Sequence, residues 1–97
     1  MTGLEGTSAG LDVRRKRNLY RAWHRGMREM DLLMGPFAEA RLGDMSEEEL
    51  DQFEALLDIP DQDLFSYITG TKEMPEDVRL PIYDTLLAFH GDLLKRG

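Results

Sequence analysis

Apolar residues return along this chain every three or four positions, in runs separated by short stretches of glycine, proline and charged residues. That spacing predicts amphipathic helices. Leu19, Ala22 and Trp23 make a first narrow stripe, Met27, Met30, Leu33, Met34, Phe37 and Ala38 a second, and Leu50, Phe53, Leu56 and Leu57 a third. Leu64, Phe65 and Ile68 mark a short fourth run. Val78, Ile82, Leu86, Phe89 and Leu93 mark a fifth, with Tyr83, Leu87 and Leu94 beside it. No segment alternates as a strand does, and there is no hairpin signal or internal repeat. The pattern predicts an all-α fold, a compact bundle of about five short helices. The last helix, apolar over most of its circumference, is expected at the centre.

Local chemistry sets the predicted boundaries. Asp12 can cap the first helix, and Gly26 offers the positive-φ position at which helices stop, so the first two helices meet at a tight antiparallel corner. Gly35 and Pro36 fall inside the second run. A proline there lacks the amide donor and crowds the carbonyl four residues earlier, so a kink or break is expected. Ser46 and Glu49 match a capping box ahead of a helix over residues 46–57, which Pro60 ends. A helix that starts at Asp61 or Gln62 stops at Gly70. Pro75 suits the first position of the last helix, with Pro81 delaying its regular start. The opening residues are rich in Gly, Thr and Ser and have no apolar period, so residues 1–13 are expected to be a flexible tail. Residues 14–94 form the helical domain and 95–97 a short second tail.

Charge changes this picture, because it is unevenly distributed. The 97 residues carry a net charge of −7. Residues 1–42 hold eight Lys or Arg against five Asp or Glu, and residues 43–97 hold four against fourteen. The overall sign opposes nucleic acid as the main partner. Seven cations, Arg14, Arg15, Lys16, Arg17, Arg21, Arg25 and Arg28, crowd into the first helix and its end, where they can meet phosphates, an acidic protein surface or the chain's own acidic half. There is no cysteine, which removes disulfides and thiolate metal sites and favours a reducing compartment. No apolar run is long enough for membrane insertion, and the first residues lack the basic start and apolar stretch of a secretory signal. A soluble intracellular protein is expected.

Catalytic chemistry finds few footholds. No nucleophile elbow is present, and His24 and His90 lie far apart, outside any metal-ligand spacing. No G-x-G-x-x-G fingerprint suggests a stably bound dinucleotide. What stands out is the corner itself, where Arg25, Gly26, Met27, Arg28 and Glu29 crowd long charged side chains around one glycine. An exposed guanidinium and carboxylate on a convex corner suit insertion into a partner's cleft.

These residues carry a resemblance. The Arg-Gly-x-x-Glu signature at Arg25, Gly26 and Glu29, within RGMREMDLLMGPF, is similar to that of the small assembly factors of succinate dehydrogenase called flavinators. SEEELDQFEALLDIPDQDLFSYITG and MPEDVRLPIYDTLLAF extend the likeness over roughly residues 14–90. The resemblance implies a maturation factor, not an enzyme. Such a factor binds the flavoprotein subunit of succinate dehydrogenase, with fumarate reductase as a second candidate, and promotes covalent attachment of FAD to it. It implies partner binding by Arg25, Gly26 and Glu29, with Arg28 and Asp31 added to the interface, and FAD held by the partner. The start of the chain shows no amphipathic Arg-rich helix of a mitochondrial presequence, so it looks like a bacterial member and a cytoplasmic location is expected. A monomer is expected when free. An exposed Gly26 predicts that Gly26→Arg spares folding. The rival reading is a nucleic-acid-binding or adaptor domain that uses the basic first helix.

Overall fold

The computed structural model describes residues 11–91. Residues 1–10 of the tail expected at 1–13, the tail expected at 95–97, and Leu93 and Leu94 of the last apolar run lie outside the described residues, while Asp12 and Val13 already belong to the start of the first helix. Among these residues five α-helices and one turn of 3-10 helix follow one another: α1 (Val13–Trp23), α2 (Arg28–Arg41), the 3-10 turn (Leu42–Asp44), α3 (Glu47–Leu57), α4 (Asp61–Thr69) and α5 (Pro81–Phe89). No strand occurs among the described residues. The all-α bundle read from the periodicity is the observed architecture.

The local signals act where expected. Asp12 Oδ1 accepts from the Arg15 amide at 2.8 Å and starts α1. The Ser46 hydroxyl accepts from the Glu49 amide at 3.1 Å while the Glu49 carboxylate accepts from the Ser46 amide at 2.9 Å, closing the capping box of α3. Gly70, at φ 81°, ends α4 in the left-handed conformation. At the open end of the first hairpin, Arg15 donates to the carbonyl of Leu42 at 2.8 Å and to that of Met45. The start of α1 therefore lies beside the end of α2, and the two helices run antiparallel.

Two expectations are corrected. The second run does not break: α2 continues through Gly35 and Pro36. Met30, Met34, Phe37 and Ala38, all fully buried, anchor the helix on both sides of the proline. One residue past the carbonyl that Pro36 cannot serve, the Leu33 carbonyl accepts from His90 Nε2 at 2.6 Å. The last helix begins at Pro81, as the expected delay there implied, and Pro75 is not its first position. Pro75 makes only one turn, its carbonyl accepting from Val78 and Arg79 at 3.0 and 3.1 Å, because Leu80, preceding a proline, is held extended at ψ 159°. Gln52 on α3 then accepts the otherwise orphan Ile82 amide at 3.0 Å, so a neighbouring helix caps α5.

Nor does α5 hold the centre. It packs on α2 and α3 through Ile82, Tyr83 and Leu86, while Asp84, Thr85 and Ala88 face solvent. The central helix is α2, which touches α1, the 3-10 turn and α5. Phe37 on α2 meets Phe53 of α3 at 5.9 Å and Phe89 of α5, edge-on, at 5.5 Å.

Candidate functional site

One side of α1 is a ladder of polar side chains. Arg14, Asn18 and Arg21, spaced four and three apart, share a helix face turned toward α3. Arg14 donates to Glu47, Asp51 and Glu54 at 2.6 to 3.0 Å. Asn18, only 1% exposed, donates to Glu54 at 2.8 Å, and Arg21 donates to Asp58 at 2.8 Å. The hydrogen bonds from Arg14, then that from Asn18, pull the Glu54 carboxyl down to about 2, and those to Glu54 and Asp51 raise Arg14 above its ordinary value. Much of the basic charge of the first helix thus answers the chain's own acidic half.

The ladder ends at the corner. Arg25, just past α1, points inward with a side chain 6% exposed. Its Nε donates to Asp61 Oδ1, its Nη1 to the Leu57 carbonyl and its Nη2 to the Ile59 carbonyl, each at 2.6 Å. One guanidinium therefore covers carbonyls at the end of α3, where a cation is favoured, and ties them to the first residue of α4. From the other side, the Asp31 carboxylate accepts from the Arg25 amide at 2.6 Å, so α2 holds the corner backbone. Gly26 adopts φ 102°, a conformation open to glycine and strained for other residues. Trp23 braces the joint: its ring lies against Gly35, where a Cβ would come within 2.3 Å of it. The Trp23 Nε1 is buried without a hydrogen-bond partner among the described residues.

This geometry sorts the residues expected to bind a partner. Arg25 is not the exposed cation expected from the sequence. It and Asp31 build the corner from within. Gly26, Arg28 and Glu29 are exposed on the corner they build. Glu29 sits in the first turn of α2, where the helix dipole favours a carboxylate; Arg28, beside it, is a cation at the wrong end of the helix and has no ion pair among the described residues. The positive φ also corrects the expectation that Gly26→Arg spares folding, since an arginine there is strained by about 1–2 kcal/mol. Sequence reasoning missed Asp61. Its only hint was an acidic residue at a helix start, which capping already explains. His24 is exposed, and its ring stacks on Tyr20 at 3.9 Å.

The fold and the corner define a class: a small helical module whose buried arginine clamp presents a short charged loop. Among the described residues no helix is long and apolar enough to cross a membrane. The chain belongs to the flavinator family of succinate dehydrogenase, which residues 16–90 match. It is 40% identical over 72 residues to the FAD assembly factor SdhE of Acetobacter pasteurianus, covering 74% of this chain and 66% of that protein. It is 37% identical over 95 residues to the mitochondrial succinate dehydrogenase assembly factor 2 of Caenorhabditis elegans, covering 95% and 80%. Over 66 residues it is 41% identical to the protein of the same name in Debaryomyces hansenii, covering 68% and 46%. The chain thus spans just under two thirds of the bacterial relative and less than half of the yeast one. No solved structure matches it.

Proposed function

We propose that this protein binds the flavoprotein subunit of succinate dehydrogenase and promotes covalent attachment of FAD to it, as a cytoplasmic assembly factor and not as a catalyst. The fumarate reductase flavoprotein is a second substrate of the same action. The observation that carries the reading is the clamped corner: Arg28 and Glu29 stand exposed beside a positive-φ glycine, on a loop fixed from inside by Arg25 and Asp31. A preformed charged corner binds with little ordering cost.

Covalent flavin attachment requires the flavin and its acceptor side chain to be held in reacting geometry in a water-poor site. The partner supplies both groups and holds the FAD. This protein contributes differential affinity: its corner binds one arrangement of the flavoprotein better than the others and raises the population competent to react. Gly26 permits close backbone approach, and Glu29 accepts hydrogen bonds from the partner. Arg25 acts through the corner it fixes.

The test is in-gel fluorescence of covalently bound flavin on the flavoprotein, in cells lacking the gene and in cells complemented with wild type or Glu29→Ala. Glu29 replaces Gly26 as the site of choice because it is exposed and unstrained. Fluorescence lost with the gene, restored by wild type and not by a folded Glu29→Ala protein, supports the reading. Undiminished fluorescence without the gene overturns it.

A further inference from the structure

Of the seven cations clustered around the first helix, four are engaged internally: Arg14 and Arg21 with α3, Arg15 with Asp12 and two carbonyls, and Arg25 in the clamp. Lys16 and Arg17 are exposed and form no ion pair among the described residues. They lie four and three residues before Tyr20, an aromatic 63% exposed, and His24 lies four residues after it. Lys16, Arg17 and Tyr20 therefore share the face of α1 opposite Leu19 and Ala22, and the ring of His24, at the helix's C-terminal cap, stacks on Tyr20 there.

This face is ordered, not merely exposed. The His24 and Tyr20 rings stack at 15°, and His24 Nδ1 donates to the Tyr20 carbonyl at 2.8 Å. That bond fixes the ring and leaves Nε2 of the neutral imidazole as an acceptor. Beside the pair opens a cleft of about 340 Å³, whose far wall is Leu57, Ile59 and Pro60 and which runs to Arg25 at the corner. This side of α1 thus carries two cations without an ion pair among the described residues, a stacked aromatic pair and a cleft that reaches Arg25.

We propose that this face of α1 is a second part of the docking surface and receives an acidic peptide segment of the partner, with a carboxylate at Lys16 and Arg17 and an apolar side chain beside Tyr20 in the cleft. The inference rests on the flavoprotein-binding reading and extends it beyond the corner. Charge complementarity selects the occupant. Asp58 and Asp61 line the cleft, and Glu47, Glu48 and Asp51 stand exposed on the adjoining helix. A long polyanion lying along α1 would meet these carboxylates, whereas a peptide bearing one or two carboxylates reaches only the two cations. A stacked tyrosine, already ordered, gives up little conformational freedom on contact.

The experiment measures affinity for the purified flavoprotein subunit by calorimetry at low and high salt. It compares wild type with Lys16→Glu/Arg17→Glu, Tyr20→Ala and, as the corner reference, Glu29→Ala. The double reversal is expected to weaken binding about tenfold or more at low salt, with the difference shrinking at high salt. Tyr20→Ala is expected to weaken it about fivefold at both salts. Unchanged circular dichroism and melting establish that the surface variants are folded. If both bind like wild type while Glu29→Ala binds weakly, the second docking face is overturned and the corner reading stands. If wild type does not bind the flavoprotein, or binds duplex DNA in its place, both readings fall. Self-association that the double reversal abolishes would also overturn the proposal, by making a second copy the occupant.

Discussion

Near its start, α1 meets α3 through Arg14, whose side chain is 31% exposed and faces three carboxylates that are themselves 30% to 83% exposed. Just past its end, Arg25 is 6% exposed and faces one carboxylate, 16% exposed, and two carbonyls. Both arginines join α1 to the same neighbour, yet the physics differs. The open-end network lies in water, where screening and side-chain entropy cancel most of its attraction. The corner clamp lies out of water, where each unmade hydrogen bond carries its full desolvation penalty. Counting ion pairs therefore misplaces the stability: the end with fewer carboxylates is the one the fold depends on.

The strongest way to break this contrast is Asp61→Ala, which strands the buried Arg25 charge. A loss of about 3–5 kcal/mol in urea unfolding is expected, and a loss below about 1 kcal/mol would show the clamp to be dispensable. Next is Gly35→Ala, which drives a methyl group into the Trp23 ring at the same end of the hairpin. A loss of about 1–3 kcal/mol is expected; if overlap is the cause, adding Trp23→Leu should recover part of it.

At the open end, Arg14→Ala should lower the melting temperature only slightly, and the difference from wild type should shrink as salt is added. A salt-independent deficit larger than that of Asp61→Ala would reverse the comparison. The smallest effect is pH-dependent. The Glu54 carboxyl is held at about 2 against an ordinary 4.5, so its contribution is complete above pH 4.5 and fades as pH falls toward 2. Glu54→Gln should therefore flatten the acid loss of stability within that window and leave the slope above it unchanged. Identical slopes for variant and wild type would place the acid sensitivity elsewhere.

The same contrast explains what was legible in the sequence. Helix starts and stops are written in neighbours a few residues apart, so Asp12, Ser46 with Glu49, and Gly70 could be read directly. The buried stripes of α2 and α3 were equally plain, since their period is local. Arg25 was misread because its three acceptors lie 32 to 36 residues away, and a charged residue beside an exposed glycine looks like surface. Asn18 was missed for the same reason: its partner, Glu54, is on another helix. Pro36 was given its usual helix-breaking weight, which the packing of Met34, Phe37 and Ala38 overrides. The start of α5 was only half legible because two prolines six positions apart both suit a first turn: the delay at Pro81 was expected, but the Gln52 cap that decides for it comes from α3. The turn between α1 and α2 was placed at Gly26 from the sequence, while the division of labour among its neighbours emerged only from the tertiary contacts.

The chain has one tryptophan, and it is Trp23, wedged on Gly35 with its indole nitrogen buried and unbonded. The protein therefore carries its own optical gauge at the joint beside the signature loop. With the indole nitrogen buried, emission should lie toward the blue while the joint is closed and move toward the red where water reaches the ring. Because no second indole contributes, a titration with a partner reads any change at this joint directly, without a dye and without labelling.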